Sequence, residues 1–151
     1  MNFVCKKGEK NMTKWTDYFN PSYRFFLQNV QYERIEAEKE NATMQLNDQL
    51  EIQDLEDHAI LRYTRKAFFE PQQLFNIIIT FAAELEYSEE YRAKTVENRS
   101  EEALEAIKES GEQITSNLSS RASMVLAQLT SSSGQMPVIT PPISQSMLNK
   151  K

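Results

Sequence analysis

The chain has 151 residues, 40% of them apolar and 26% charged, with a formal net charge of −5 and one cysteine, Cys5. A single cysteine excludes an internal disulfide framework, and the acidic balance argues against the non-specific hold on nucleic acid that a basic face supplies. No apolar run approaches the roughly 20 residues of a membrane-spanning helix; the longest, Leu74 to Ala83, contains Asn76 and Thr80.

Three Gly and five Pro, with abundant Glu, Gln, Ala and Leu, lean to an all-α chain. Strand-like alternation persists nowhere for more than a few residues. Residues 1–11 are basic, short and aperiodic, and too short before Cys5 for the apolar core of a secretory signal. Codons available to Lys7-Gly8-Glu9 can spell a ribosome-binding site shortly before Met12. The expected start is therefore Met12, in a bacterium or bacteriophage, which the intact mass of the native product would test.

Trp15 to Tyr32 is the aromatic end of the molecule, and Asn20-Pro21 reads as a helix start with Asn20 as the cap. Trp15, Tyr18, Phe19, Tyr23, Phe25 and Phe26 either close the end of a helical hairpin or act as docking anchors for another protein, since aromatic side chains dominate interfaces. Ser22 to Phe69 reads as a first long helix with no internal Gly or Pro. Its weak apolar lines are Ile35, Ala42, Leu46 and Leu50, and Met44, Ile52, Leu55, Ala59 and Tyr63. Arg62, Arg65 and Lys66 near its end fit basic residues that complement a helix dipole. Phe68-Phe69-Glu70-Pro71 is the expected corner, because proline disfavours helix before it and suits the start of the next one.

Pro71 to Ser133 reads as one very long amphipathic helix. Steps of eleven residues from Leu74 meet Leu85, Val96, Ile107, Leu118 and Leu129, all apolar. A second row gives Phe81, Arg92, Ala103, Ile114 and Val125, while the row through Ile78 and Ala122 is mostly polar. An eleven-residue period keeps a narrow seam nearly straight, which suits a slender coiled assembly. From Gln113 to Ser133 the only charge is Arg121, so the polar face there is expected to be covered by other copies or by another protein. The segment from Gly134 to Lys151 is a Ser/Pro-rich tail with more apolar residues than a passive linker needs.

Catalytic machinery is not visible. His58 is the only histidine, and although Asp54 lies four residues before it, a tetrahedral metal site would still lack a second His or a Cys. The three glycines are isolated, so no phosphate loop is present. No catalytic residue, metal ligand or cofactor is assigned.

These readings combine into an all-α chain: two long helices forming a helical hairpin or extended coiled-coil rod over 22–133, a leader and aromatic segment over 1–21, and a tail over 134–151. The expected function is a non-enzymatic structural or assembly protein, self-associating within a larger bacterial or bacteriophage assembly such as a virion or secretion apparatus. Its interface would be Leu74, Ile78, Phe81, Leu85, Val96, Ala103, Ile107, Ile114, Leu118, Ala122, Val125 and Leu129. The alternative is a small helical chaperone or adaptor that binds one protein partner. Partners would be copies of the chain and other proteins, not nucleic acid or membrane, in the cytoplasm or a virion.

Overall fold

The residues from His58 to Tyr87 form the centre of a β-sheet, not a helical corner. The computed structural model describes residues 14–37, 41–92, 99–132 and 137–141. After a short helix α1 (Trp15–Tyr18) come β1 (Phe19–Ile35), β2 (Thr43–Asp54), β3 (His58–Glu70) and β4 (Leu74–Tyr87). A turn of helix, α2 (Glu89–Arg92), then leads towards α3 (Arg99–Ser110) and α4 (Glu112–Ser132). The four strands make one antiparallel sheet in the order β1-β4-β3-β2. The all-α hairpin or rod is thus corrected: among the described residues the helices longer than one turn lie between Arg99 and Ser132, and the expected first long helix is three strands.

Period-2 patterning explains the sheet. On β4, Phe75, Ile77, Ile79, Phe81, Ala83, Leu85 and Tyr87 form one buried row beneath the helices. On β3 the matching row is Ala59, Leu61, Tyr63, Arg65 and Ala67, all buried. Arg65 is the charged member that breaks the alternation for a reader of the sequence. On β1 the partners of that row are Tyr23, Phe25, Leu27, Val30 and Tyr32, with a register shift between Leu27 and Asn29. The shift inserts one residue, which flips the parity of the apolar positions halfway along the strand. Pro21 falls in a second irregularity of the same strand, between Phe19 and Tyr23, where a missing N–H breaks no regular ladder.

At the expected corner Phe68, Phe69 and Glu70 are the end of β3, and the turn to β4 follows a cis peptide before Pro71. Between β2 and β3 the link is Leu55-Glu56-Asp57, where the Asp54 carboxylate accepts the Glu56 N–H at 3.0 Å. Glu56 there has a φ of 72°, a conformation the Asp54 cap helps to hold.

Helices α3 and α4 cover one face of the sheet. Ala103, Ala106 and Ile107 of α3, with Ile114, Leu118, Ala122 and Leu126 of α4, close the core against β3 and β4. Gly111 joins the two helices at a close approach: a Cβ there would lie 2.8 Å from the Ile107 carbonyl oxygen. Among the described residues, no helix is long and apolar enough to cross a membrane.

The eleven-residue seam therefore runs through different elements. Leu85 lies in a strand, Ile107 and Leu118 in two helices, and all three are buried in the chain's own core. Phe81, Ala103, Ile114 and Ala122 are buried there too, with Val125 and Leu129 partly covered. Ile78 lies half-buried on the opposite face of the sheet, and Leu74 is exposed at the start of β4. Val96 and the tail residues after Pro141 lie outside the described residues, as do Met1 to Thr13 with Cys5 and Met12.

Candidate functional site

Two features of the helix-covered face stand apart from an ordinary core. The first is the rim along β1. Helix α4 covers β3 and β4, so the outermost apolar row is only partly roofed: Leu27 is 47% and Val30 36% exposed. Tyr32 continues this row, stacking on Phe75 with centroids 6.5 Å apart. At the other end Arg121 of α4 lies over the Phe25 ring at 3.8 Å, and the Asn117 amide donates to the Tyr23 hydroxyl at 2.7 Å. Among the described residues no strand pairs with the outer edge of β1. The rim thus joins unpaired backbone groups to a row of apolar side chains, the combination an added extended segment uses.

The expected docking anchors divide across this region. Tyr18 and Phe19 are buried in the core, with Phe19 stacked on Tyr87 at 4.9 Å and Tyr18 packed edge-on to Tyr91 at 4.6 Å. Trp15 and Tyr23 meet edge-to-face at 6.2 Å, and Tyr23 and Phe25 are half-buried on the rim. Phe26 pairs with Ala82 on the outer face of the sheet, 42% exposed.

The second feature is the buried guanidinium of Arg65. Its Nε and Nη2 donate to the two carboxylate oxygens of Asp48 at 2.8 and 2.7 Å, a fork-on-fork pair whose side chains are 0% and 1% exposed. Nη2 also donates to the Tyr63 hydroxyl at 2.9 Å. Nη1 faces Ser123 Oγ at 2.8 Å, Thr140 Oγ1 at 2.9 Å and the Pro141 carbonyl oxygen at 2.6 Å. Burial alone would lower the arginine pKa, but the Asp48 hydrogen bonds and charge outweigh it and hold the group above its ordinary value. Burial pushes the Tyr63 hydroxyl up, so it stays protonated. Arg65 was not legible as a site residue, having been read as one of three basic residues at a helix end; the signal was its place in the row Leu61, Tyr63, Arg65, Ala67.

The outer face carries the polar cluster. His58 and Asp54, expected on one helix face, sit on opposite sides of the sheet, since Asp54 pairs with Ala59 while His58 pairs with Glu86. Asp54 instead takes two hydrogen bonds from Arg99 at 3.1 and 2.9 Å. His58 Nδ1 lies 2.7 Å from Asp57, and its Nε2 3.6 Å from Glu84. With Arg24 and Glu86 they line an open depression of about 510 Å³. Ser22 and Tyr23 complete its lining, and among the described residues no three His, Cys, Asp or Glu side chains converge as metal ligands.

These surface carboxylates make stability sensitive to acid. Hydrogen bonds from Arg24 and His58 hold Glu84 and Asp57, respectively, below the ordinary range. Burial raises Asp54, but its Arg99 and Glu56 hydrogen bonds outweigh this and leave it lowered. Groups with depressed folded-state pKa values stabilise the fold above the unfolded pKa of about 4, and that contribution is lost as pH falls through the folded value. Urea midpoints are therefore expected to be level from about pH 7 to 5 and to fall below about pH 4, with Asp54→Asn blunting the fall. A midpoint that rises on acidification would contradict the pairing.

No protein-family model matches the sequence, and no curated protein matches it. A solved structure does: the Mycobacterium tuberculosis Rv1957 SecB-like chaperone, in complex with a ChAD peptide from the Rv1956 HigA1 antitoxin. The TM-score is 0.59 at 16% identity, over 80% of this chain and 88% of that one. The chain has a SecB-like fold. With the helices of this chain roofing a sheet, the likeness sets aside the long-helix rod and the virion or secretion-assembly reading built on it.

Proposed function

We propose that this chain is a non-enzymatic chaperone that holds extended, apolar polypeptide segments of a protein partner along the rim of β1. The observation that carries the reading is the incompletely roofed row of Leu27, Val30 and Tyr32 beside an unpaired strand edge. A segment laid there pairs its backbone with β1 and buries alternate side chains against the row. Burying one Leu- or Val-sized side chain is worth about 1.5–3 kcal/mol, so a few contacts suffice for a reversible hold. The peptide bound by the SecB-like neighbour supports the same class of partner. Self-association belongs to this reading as a second use of the same edge, now through a strand instead of a helical seam.

The test is suppression of aggregation of a chemically unfolded reporter protein, with light scattering to weigh the free chain over a hundredfold concentration range. The parent chain is expected to suppress aggregation near stoichiometry. Leu27→Asp with Val30→Asp is expected to lose at least tenfold in potency, while the melting temperature stays within a few degrees because both positions are exposed. A parent chain that leaves aggregation unchanged overturns the chaperone reading. A free chain that keeps the single-chain mass throughout removes self-association and leaves the rest standing.

A further inference from the structure

Residues 137–141 lie in the groove between α4 and the β2–β3 half of the sheet, on the far side of α4 from the β1 rim. The segment is extended and runs antiparallel to the helix: the Val138 N–H donates to Thr130 Oγ1 at 2.9 Å, and Thr140 Oγ1 meets Ser123 Oγ at 2.9 Å seven residues earlier along α4. Its side chains alternate as a strand's do. Val138 packs on the core and Thr140 is 5% exposed, whereas Ile139 between them is 80% exposed.

The groove is built for this contact by groups that belong to the folded body. Asp48 and Tyr63 occupy the Nε and Nη2 side of Arg65, leaving Nη1 aimed into the groove, where two of its three acceptors come from the tail. A buried guanidinium with donors turned outward recognises backbone carbonyls and hydroxyls without regard to most of the sequence around them. Thr130 Oγ1, buried and donating back to the Leu126 carbonyl of its own helix, accepts the Val138 backbone N–H about two turns along α4 from Ser123. The cluster therefore reads a polypeptide in extended form: an apolar residue inward, one residue outward, then a hydroxyl inward and a proline whose carbonyl accepts from the guanidinium.

We propose that this groove is a binding site for extended polypeptide of that pattern, distinct from the β1 rim, and that residues 137–141 are its resident ligand in cis. When the tail leaves, the site accepts a segment of the same chemistry from another molecule. The tether keeps the tail at an effective concentration in the millimolar range, so in the intact chain the site is closed to all but abundant competitors. This inference stands on the Arg65 groove alone and does not need the β1 rim to hold anything.

The test uses a fluorescein-labelled peptide of residues 135–144, read by anisotropy against the full-length chain and against the full-length variant Val138→Asp with Thr140→Ala, which releases the tail. The peptide is expected to bind the variant at least tenfold more tightly than the parent. The same peptide carrying Ile139→Ser should bind equally well, and one carrying Thr140→Ala should bind at least fivefold more weakly. Equal affinity for parent and variant, or indifference to Thr140→Ala in the peptide, overturns the proposal. Should the variant not fold, excess peptide is added to the parent and exchange of the Val138 amide is followed: acceleration supports the proposal, and unchanged exchange overturns it. Aggregation suppression lost through Leu27 and Val30 is a separate readout, so either proposal can fail while the other holds.

Discussion

Asp48→Ala is expected to lower the stability of the chain by about 3–5 kcal/mol, the range for breaking a buried ion pair from one side. The loss is large because Arg65 cannot follow its partner out. Its side chain is fully buried, and its remaining neighbours, Tyr63, Ser123, Thr140 and Pro141, are neutral. At roughly 2–4 °C per kcal/mol for a domain of this size, the melting temperature should drop by about 10 °C. Replacing the pair together, Asp48→Leu with Arg65→Met, should recover most of that loss, since a buried pair is often no more stabilising than apolar groups of its volume. The recovered protein should still have lost protection of the Val138 amide, which separates the pair's part in holding the tail from its part in holding the fold. A loss from Asp48→Ala below about 1 kcal/mol would mean that the carboxylate is not sealed in with the guanidinium.

Leu118→Ala is the second. Leu118 is completely buried where α4 meets the sheet, among Ile107, Ile114, Ala122 and the inner row of β4. Truncating a leucine in such a setting removes its transfer energy and leaves a cavity, together about 2–5 kcal/mol. Met124, on the same helix but 63% exposed, is the control, and its truncation should stay within about 0.5 kcal/mol. Denaturant midpoints read both. The mass of the folded Leu118→Ala chain in light scattering should equal the parent's, because the residue closes the interior of one molecule. A variant as stable as the parent but of lower mass would return Leu118 to an interface between copies.

The helices were legible in part. The row Ile107, Ile114, Leu118, Ala122 falls on one face of real helices, while the uncharged stretch after Gln113, expected to be covered by other molecules, packs partly on the sheet and tail of its own chain and leaves Met124 exposed. The sheet was hidden by three local facts. Arg65 occupies an inward position that alternation reserves for an apolar residue. The irregularity near Gln28 shifts the phase of β1 in mid-strand. On β4 the outward positions Ile78, Thr80 and Ala82 are themselves apolar or small, so the strand reads as a continuous run, and a run of that kind has no visible period. A step of eleven changes parity each time, so it crossed from strand to helix without a signal. The site residues suffered from the same cause: once β1 was taken for helix, Leu27 and Val30 had no reason to stand out from their neighbours.

The order of the strands bears on how the chain is made. Of the four described strands β1 leaves the ribosome first, yet its partner is β4, so that Phe19 waits for Tyr87 and Ile35 for Leu74. At roughly 5–20 residues per second, several seconds separate the two ends of that pairing. During that interval the nascent chain displays an unpaired strand with Tyr23, Phe25, Leu27, Val30 and Tyr32 along one side. Under the proposed function, every unfinished copy is then a client of the finished ones.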